Sequence, residues 1–355
     1  MDVDVFLLAG QFPGMSHAEA LEAALEFGVA AEVAGFTGAW MAEHHFISYG
    51  VCPSAVAFAS HLLGRTTRLE VGTAATILSN RHPVALAEEA VVLDILSGGR
   101  FRLGVARGGP WVDLEVFGTG LQRYERGFPE ALDLLLQWLS GAPRVAAQGE
   151  FFDFRQVAVV PRPVRPPQVW VAATSESTVN TAAARGLPLL LGMHVSDADK
   201  RRTLDQYAEV AAAHGHDASG VPHASAHLAY VADSRQEAER VLRAAIPIWL
   251  ERGVGEYVRL DGGPGQRRDP QEYVNQLLRV HPVGTAEECA ERLAASAATT
   301  GVRRALLMVE GAGDRRRTLE NIARLGAEVL PRLRTSIHDV NAHCSAAGSS
   351  EWVNR

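Results

Sequence analysis

The chain has 355 residues, of which 47% are apolar and 21% charged, a globular composition that excludes wholesale disorder and collagen-like repeats. Its 34 basic and 41 acidic residues give a formal net charge of −7, which argues against a broad electropositive surface for nucleic acid. Three scattered cysteines, acidic residues at the N-terminus (Asp2, Asp4) and the lack of an apolar run near ~18 residues predict a soluble cytoplasmic protein without a membrane span.

Short apolar runs alternate with longer amphipathic segments along almost the whole chain. The predicted strands cover 3–9, 37–42, 68–77, 100–106, 168–173, 187–192, 223–231 and 302–309. The predicted helices cover 17–34, 53–63, 83–96, 126–139, 177–185, 198–214, 234–251, 272–278, 285–297 and 316–333. Ser16 and Glu19 form a capping-box pattern before the first helix, and Gly35 provides its stop.

Strands that alternate with helices predict a parallel sheet, and eight such units match a closed (β/α)8 TIM-type barrel over residues 1–335. A doubly wound sheet is the competing fold. It is weakened because no GxGxxG follows the first strand and no GxxxxGK[ST] occurs. A proline-rich stretch at 143–167 predicts an inserted β-hairpin at 150–154 and 157–160. Residues 253–270, rich in Gly and Arg, predict a loop, and residues 336–355 a polar tail.

The second strand ends in Glu43-His44-His45, where a barrel of this type places its reactive groups. Successive strand residues point to opposite faces, so one histidine faces the axis and Glu43 shares a side with His45. This spacing is poor for a two-histidine metal site, and we predict no metal. Each histidine could have either of two roles, as a hydrogen-bonded structural residue or as a catalytic residue that carries a proton.

A second polar group follows the fourth and fifth strands. Arg107 precedes two glycines, while Ser175 and Thr178 lie at the start of a helix, where free N–H groups favour an anion. Arg126 could add a second cation. Simple helix capping by the serine is the alternative to a phosphate site. No GxSxG and no zinc or iron–sulfur ligand pattern occurs, so the residue pattern alone does not specify a reaction.

Eight short segments nevertheless match those of a known protein family, and they occur in the same order along residues 1–335. They are 43–46 (EHHF), 71–75 (VGTAA), 82–84 (HPV), 99–102 (GRFR), 116–119 (VFGT), 186–188 (GLP), 214–217 (HGHD) and 282–285 (PVGT). The chain resembles the bacterial luciferase-like flavin monooxygenases, and among them the luciferase α subunit. The ordered set supports the barrel independently of the strand count.

The resemblance implies reduced FMN, held non-covalently and supplied by a separate flavin reductase that binds transiently. Dioxygen would add to it as a flavin hydroperoxide, which oxygenates a small organic substrate such as an aldehyde or an aromatic biosynthetic metabolite. The resemblance implies a catalytic role for His44, as the base, beside His45. The flavin would bind at Ala74, Ala75 (joined by a cis peptide bond), Ala106, Arg107, Arg126 (with Arg123 as the alternative), Thr174, Ser175 and Thr178.

The chain also departs from the family pattern. Ala106 stands where luciferase has a reactive cysteine, and Thr174 stands where it has a glutamate. By the same resemblance residues 253–281 are a short lid loop, shorter than the mobile lid of luciferase. These departures argue against simply classing the chain as a light-producing enzyme. A deazaflavin-dependent hydride-transferring oxidoreductase and a non-catalytic partner subunit are the alternative functions. Small residues on helices 54–63 and 84–96 predict a homodimer.

Overall fold

The computed structural model of the chain describes residues 1–263 and 269–334. Its strands are, in chain order, β1 (Asp2–Leu7), β2 (Gly38–Met41), β3 (Glu70–Thr73), β4 (Thr76–Ile77), β5 (Phe101–Ala106), β6 (Arg144–Gln148), β7 (Asp153–Ala158), β8 (Val169–Ala172), β9 (Leu189–Leu191), β10 (Ala224–Leu228), β11 (Tyr230–Val231), β12 (Val283–Gly284) and β13 (Arg304–Met308). Among the described residues, eight parallel strands form a closed ring in the order β1, β2, β3, β5, β8, β9, β10 and β13. The predicted (β/α)8 barrel is confirmed.

Helices surround the strands. They are α1 (His17–Ala34), α2 (Ala55–Arg65), α3 (Pro83–Leu96), α4 (Asp113–Val116), α5 (Gly120–Glu125), α6 (Gly127–Leu139), α7 (Glu176–Ala183), α8 (Asp197–Ala213), α9 (Arg235–Gly255), α10 (Pro270–Val280), α11 (Ala286–Thr300) and α12 (Arg315–Arg324). The capping box predicted for α1 is present, and Gly35 ends that helix with a φ of 85°. Within the described ranges, no helix has the length and apolar character needed to span a membrane.

Strand residues alternate between two apolar layers. Leu307 packs with the helices outside the barrel, whereas its neighbours Leu306 and Met308 face the interior. The interior is filled by side chains, including Trp40 and Trp170, whose rings meet edge-on at 5.3 Å. The barrel is therefore a packed core, and space for a ligand lies at its ends.

The N-terminal end of the barrel, here called the floor, is closed by charged side chains. Arg304 Nη1 donates hydrogen bonds to Asp4 Oδ2 (3.0 Å) and Glu70 Oε2 (2.8 Å). Arg102 binds the other oxygen of Glu70, and Trp40 Nε1 donates to Asp4 Oδ2 at 2.7 Å. Burial raises the pKa of Asp4 to about 6, although the Arg304 charge acts in the opposite direction.

The only lysine of the chain, Lys200, is buried between α8 and the outer side of β10. Its Nζ donates hydrogen bonds to Ser225 Oγ (2.9 Å) and to the carbonyl oxygen of Ala226 (3.0 Å). Burial lowers the pKa of this amine to about 8. A polar contact therefore joins this helix to the barrel wall.

The structure corrects the predicted hairpin strands. A hairpin is present within 143–167, but its strands are β6 and β7, and the predicted strand 150–154 begins in the turn. The Glu130 carboxylate causes this, because it accepts the backbone N–H groups of Glu150, Phe151 and Phe152 and so holds them in the turn. The predicted strand 68–77 is likewise two strands, β3 and β4.

Two other predicted segments, the lid and the tail, include residues outside those that the structure describes. The predicted helix 272–278 is confirmed as α10, whereas residues 264–268 of the predicted lid and the predicted tail 336–355 lie outside the described residues. The short helices α4 and α5 fill a stretch for which the sequence predicted no element.

Candidate active site

The C-terminal end of the barrel is here called the mouth. The segment that follows β2 lies at this end and carries Glu43, His44 and His45. Glu43 is buried, and its carboxylate accepts hydrogen bonds from the backbone N–H groups of Ala55 (3.1 Å) and Ile77 (2.9 Å). It thereby joins the start of α2 to β4. This contact fixes the backbone that carries His44 and His45.

His44 is half-buried. Its Nδ1 atom is enclosed without a hydrogen-bond partner and faces Gly50, where an added Cβ would lie 2.7 Å away. The ring of Tyr49 stands edge-on to His44 at 5.1 Å. Burial, together with nearby His45 and His194, lowers the pKa of His44 to about 4. The imidazole is therefore neutral at pH 7 and able to accept a proton.

His45 lies on the other side of the segment. Its Nε2 is 3.7 Å from Glu43 Oε1, so the prediction that these two residues share a side is confirmed. Its ring packs edge-on against Phe117 at 5.0 Å. In the part of the chain that the structure describes, no group of three or more His, Cys, Asp or Glu side chains is placed to hold a metal.

Three small side chains come together beside these histidines. The Ala74–Ala75 peptide bond is cis, as the resemblance implied, and the N–H of Ala74 donates to the carbonyl oxygen of Met41 at 2.7 Å. Ala106, at the end of β5, pairs with Ile77 just beyond the cis bond. The three alanines are at least partly buried against the interior layer. We call these three alanines, which present only methyl side chains, the alanine cradle.

Arg107 follows Ala106 directly and points to the start of α7. Its Nη2 lies 3.4 Å from Ser175 Oγ, and its guanidinium stacks over the Tyr124 ring at 4.6 Å. Ser175 is the N-cap of α7, and its Oγ also lies 3.0 Å from Thr178 Oγ1. A guanidinium, two hydroxyl groups and a helix N-terminus are donors that suit a phosphate group. The structure thus brings Arg107, Ser175 and Thr178 together, with Thr174 exposed one residue before the cap.

The second predicted arginine has other contacts. Arg126 pairs through both terminal nitrogens with Glu150 in the hairpin turn, at 2.6 and 2.9 Å, and both side chains are more than half exposed. Arg123 donates to the carbonyl oxygen of Arg81 and stacks over Phe152 at 4.3 Å. Neither arginine makes a hydrogen bond to the Arg107–Ser175 group within the described structure, so the second phosphate arginine stays a prediction.

A strap of backbone after α9 crosses to the segment after β5. The carbonyl oxygen of Val258 accepts from Val112 N (2.9 Å), and Leu260 N donates to the carbonyl oxygen of Pro110 (2.8 Å). Next to this bridge, the Trp111 and Tyr257 rings lie 4.5 Å apart. This strap belongs to the predicted lid, and two backbone hydrogen bonds tie it to the segment after β5.

One buried carboxylate at the mouth was not among the predicted site residues. Glu310 follows β13, and its oxygens accept the N–H groups of Leu8 (2.5 Å) and Gly10 (3.4 Å) after β1. Burial raises the pKa of this carboxyl group to about 7. An acidic residue directly after the last apolar strand was the sequence signal for it, and its contacts assign it to holding the β1 end.

The family model that matches the chain is that of luciferase-like monooxygenases, over residues 1–304. The alkanal monooxygenase alpha chain of the Kryptophanaron alfredi symbiont is 30% identical over 348 residues, covering 93% of this chain and 97% of that protein. The alpha chain from Photorhabdus luminescens is also 30% identical, covering 93% and 96%.

Solved structures share the fold at lower identity. Monooxygenase RslO1 from Streptomyces bottropensis superposes with a TM-score of 0.81 at 23% identity, covering 93% of this chain and 99% of that one. The oxygenating constituent of 3,6-diketocamphane monooxygenase from Pseudomonas putida, in complex with FMN, gives 0.76 at 18%, covering 94% and 98%. An F420-dependent secondary alcohol dehydrogenase gives 0.75 at 17%, also covering 94% and 98%. The chain belongs to the family of luciferase-like monooxygenases.

Proposed function

We propose that the chain is the oxygenase component of a two-component system, which uses reduced FMN and dioxygen to oxygenate a small organic substrate. The observation that carries this proposal is the meeting of Arg107 with the N-terminus of α7 beside the alanine cradle and His44. A charged donor set, a flat apolar surface and a neutral base are what a phosphorylated aromatic cofactor requires at one site.

The residues fit FMN group by group. Arg107, Ser175 and Thr178 would hold the phosphate. The alanine cradle would lie under the ring system, because methyl groups leave room for a flat face. When bound, reduced FMN supplies the two electrons that activate dioxygen. His44 would accept a proton at Nε2, since its Nδ1 is enclosed against Gly50.

Cofactor binding is the first test, because structural neighbours include both FMN-dependent and F420-dependent enzymes. We expect FMN, added in oxidised and in anaerobically reduced form, to bind the purified chain, with the reduced form preferred. Binding of F420 alone, with hydride transfer to a ketone and no oxygen consumption, would reject the proposal in favour of a deazaflavin oxidoreductase.

Oxygenation is the second test. With FMN, NADH and an unrelated flavin reductase, one atom of ¹⁸O₂ should enter the product from a panel of long-chain aldehydes and polycyclic phenols. An unrelated reductase should support this reaction, because in the proposed system the reductase only supplies free reduced flavin. Oxygen consumption that never labels any product would contradict the monooxygenase assignment.

We propose a homodimer, formed through the outer faces of α2 and α3. Three exposed positions of α2 are small, which allows close approach, and three exposed positions of α3 are large and apolar. They are Ala57, Ser60 and Gly64 on α2, and Val92, Ile95 and Leu96 on α3. Sedimentation should show a dimer at micromolar concentration and a monomer for Leu96→Glu; a monomeric unmodified chain would contradict this.

We place the enzyme in the cytoplasm, where a reductase can deliver reduced flavin. Cys52 and Cys289 are free thiols, as expected in a reducing compartment. Detection of the native protein in a cytosolic fraction would test this placement, and recovery in an oxidising compartment would contradict it.

A further inference from the structure

A second histidine lies across the mouth from His44. In the ring of eight strands, β2 and β9 are four positions apart and therefore opposite each other. His44 is the third residue after the end of β2, and His194 is the third residue after the end of β9. The two residues thus follow opposite strands of the ring at the same offset from the strand end.

α10 holds His194 in place. The Tyr273 hydroxyl is hydrogen-bonded to His194 Nδ1, and Gln276 Nε2 reaches the carbonyl oxygen of His194 at 3.5 Å. His281, the C-cap of α10, is buried and binds the carbonyl oxygen of Met193 through Nε2 at 2.8 Å. The backbone and the side chain of His194 are therefore both fixed from one helix.

The two sides of the mouth are coupled through aromatic side chains. Tyr49 is edge-on to His44, and the Tyr273 and Tyr257 hydroxyls lie near enough to Tyr49 to raise its pKa further, in addition to burial. Tyr273 in turn binds His194. A chain of ring contacts and charges thus runs from His44 to His194 around the same space.

We propose that His194, oriented by Tyr273, is a second proton-transfer residue, which donates a proton from Nε2 to the oxygen atom that leaves as water. The inference rests on the proposed function and deepens it. The reaction it serves is substrate + O₂ + FMNH₂ → oxygenated substrate + FMN + H₂O. The O–O bond breaks, one oxygen enters the substrate, and the other gains the two hydrogens that FMNH₂ gives up.

The proton balance closes with His44 on the opposite side. Of the two hydrogens that FMNH₂ gives up, one goes to the departing oxygen and His44 accepts the other as a proton. His194 gives the departing oxygen its second proton. After each turnover His44 returns its proton and His194 regains one through solvent at the open mouth, so neither histidine is consumed. His194 is in this account a catalytic residue, and Tyr273 is a positioning residue.

Several titratable groups face this space and will shape its pH dependence. They are His45 beside His44, Tyr49 after β2, Tyr257 in the strap, His281 at the end of α10 and Glu310 after β13. Variants of His194 and Tyr273 must therefore be compared with the unmodified chain at each pH.

The first measurement is an NMR titration of the histidines in the cofactor-free protein. Because His194 lowers the pKa of His44, His194→Gln should raise the pKa of His44 measurably. Tyr273→Phe should change the Nδ1 shift of His194. His214→Gln, at the exposed end of α8, is the matched control and should change neither. An unmoved His44 resonance in His194→Gln overturns the proposal without reference to turnover.

The second measurement is turnover across pH. His194→Gln should lower kcat about 10- to 100-fold and remove the loss of activity on the basic side, with KM and the Kd for FMN unchanged. Tyr273→Phe should lower kcat less and keep that basic limb. Equal kcat for His194→Gln and the unmodified chain overturns the proposal. If the unmodified chain binds no FMN and oxygenates nothing, the proposed function fails first, and the NMR coupling alone records that the two histidines share a space.

Discussion

The two ends of the barrel treat buried polar groups in opposite ways. At the floor, Asp4, Glu70, Arg102 and Arg304 bind one another, and Asp4 Oδ1 is the only one of their oxygens and nitrogens that is buried without a partner in the described chain. At the mouth, buried polar atoms without a partner follow several strands. They include Gln11 Oε1, His44 Nδ1, His45 Nε2, Ser48 Oγ, Thr76 Oγ1, Ser79 Oγ, Asn80 Oδ1 and Asp113 Oδ1.

The difference separates stability from function. A buried polar atom without a partner costs about 1–3 kcal/mol, and a protein retains such atoms where a ligand or ordered water can satisfy them. The floor satisfies its charges internally and therefore serves the fold. The mouth satisfies Glu43 and Glu310 but leaves several other buried polar atoms without a partner, and that is where we place the reaction.

The largest expected effect tests the mouth. His44→Gln should lower kcat by roughly 10²–10⁴-fold, since the variant lacks the base, while the Kd for FMN stays within about twofold. His17→Gln, on the exposed first turn of α1, is the control. Steady-state oxygen consumption measures the first quantity and flavin fluorescence the second. Unimpaired turnover would place the base elsewhere.

The same histidine should make stability depend on pH. Its folded pKa of about 4 lies below its unfolded value, so the unfolded chain binds more protons between about pH 4 and 6.5. The unfolding free energy should therefore decrease as the pH falls through that window, and the decrease should be smaller in the His44→Gln variant. Urea midpoints at pH 7 and pH 5 measure the difference, and identical pH slopes in the two proteins would refute it.

The next effect tests the floor. Arg304→Met leaves the buried Asp4 carboxylate without its cation and should cost about 3–5 kcal/mol of unfolding free energy at pH 7. The folded pKa of Asp4 is already about 6, so acidification protonates it and the loss should shrink at pH 5. Urea unfolding at both pH values checks this. An equal loss at both, or a weakened Kd for FMN, would break the separation of the two ends.

A smaller effect concerns cofactor affinity. Arg107→Ala should raise the Kd for FMN about 10- to 100-fold, because a hydrogen bond to a charged group contributes roughly 1.5–3 kcal/mol. Riboflavin, which lacks the phosphate, should bind both proteins equally. A parallel loss of riboflavin binding would indicate a structural role for Arg107.

The smallest effect is expected at Arg126. Its exposed pair with Glu150 is worth about 0.2–1 kcal/mol, so Arg126→Ala should change stability little. If Arg126 stays with the hairpin when the cofactor binds, the Kd for FMN will also change less than twofold. A tenfold loss would instead show that Arg126 turns inward to the phosphate.

The barrel could be predicted from the sequence because the start and end of each helix depend on residues close to it in the chain. The start of α1 follows from Ser16 and Glu19, its end from Gly35, and the start of α3 from Pro83. The resemblance also placed the cis bond at Ala74–Ala75, which no spacing rule indicates. The predicted hairpin strands were wrong because the Glu130 carboxylate that sets the turn lies 20 residues before Glu150 in the sequence.

The candidate site could be predicted only in part. Arg107 and Ser175 are 68 residues apart, yet both follow barrel strands, so the fold brings them together. The contact between His194 and Tyr273 depends on where α10 packs after the lid, which no local pattern encodes. For the same reason the strap between Val258 and Val112 could not be foreseen.

The buried position of Lys200 has a practical consequence. An amine-directed acylating reagent meets a single lysine side chain in this sequence, and that side chain is shielded in the native fold. Its acylation rate should therefore follow transient separation of α8 from β10. The acylation of Lys200 thus measures how often the contact between α8 and the barrel opens locally.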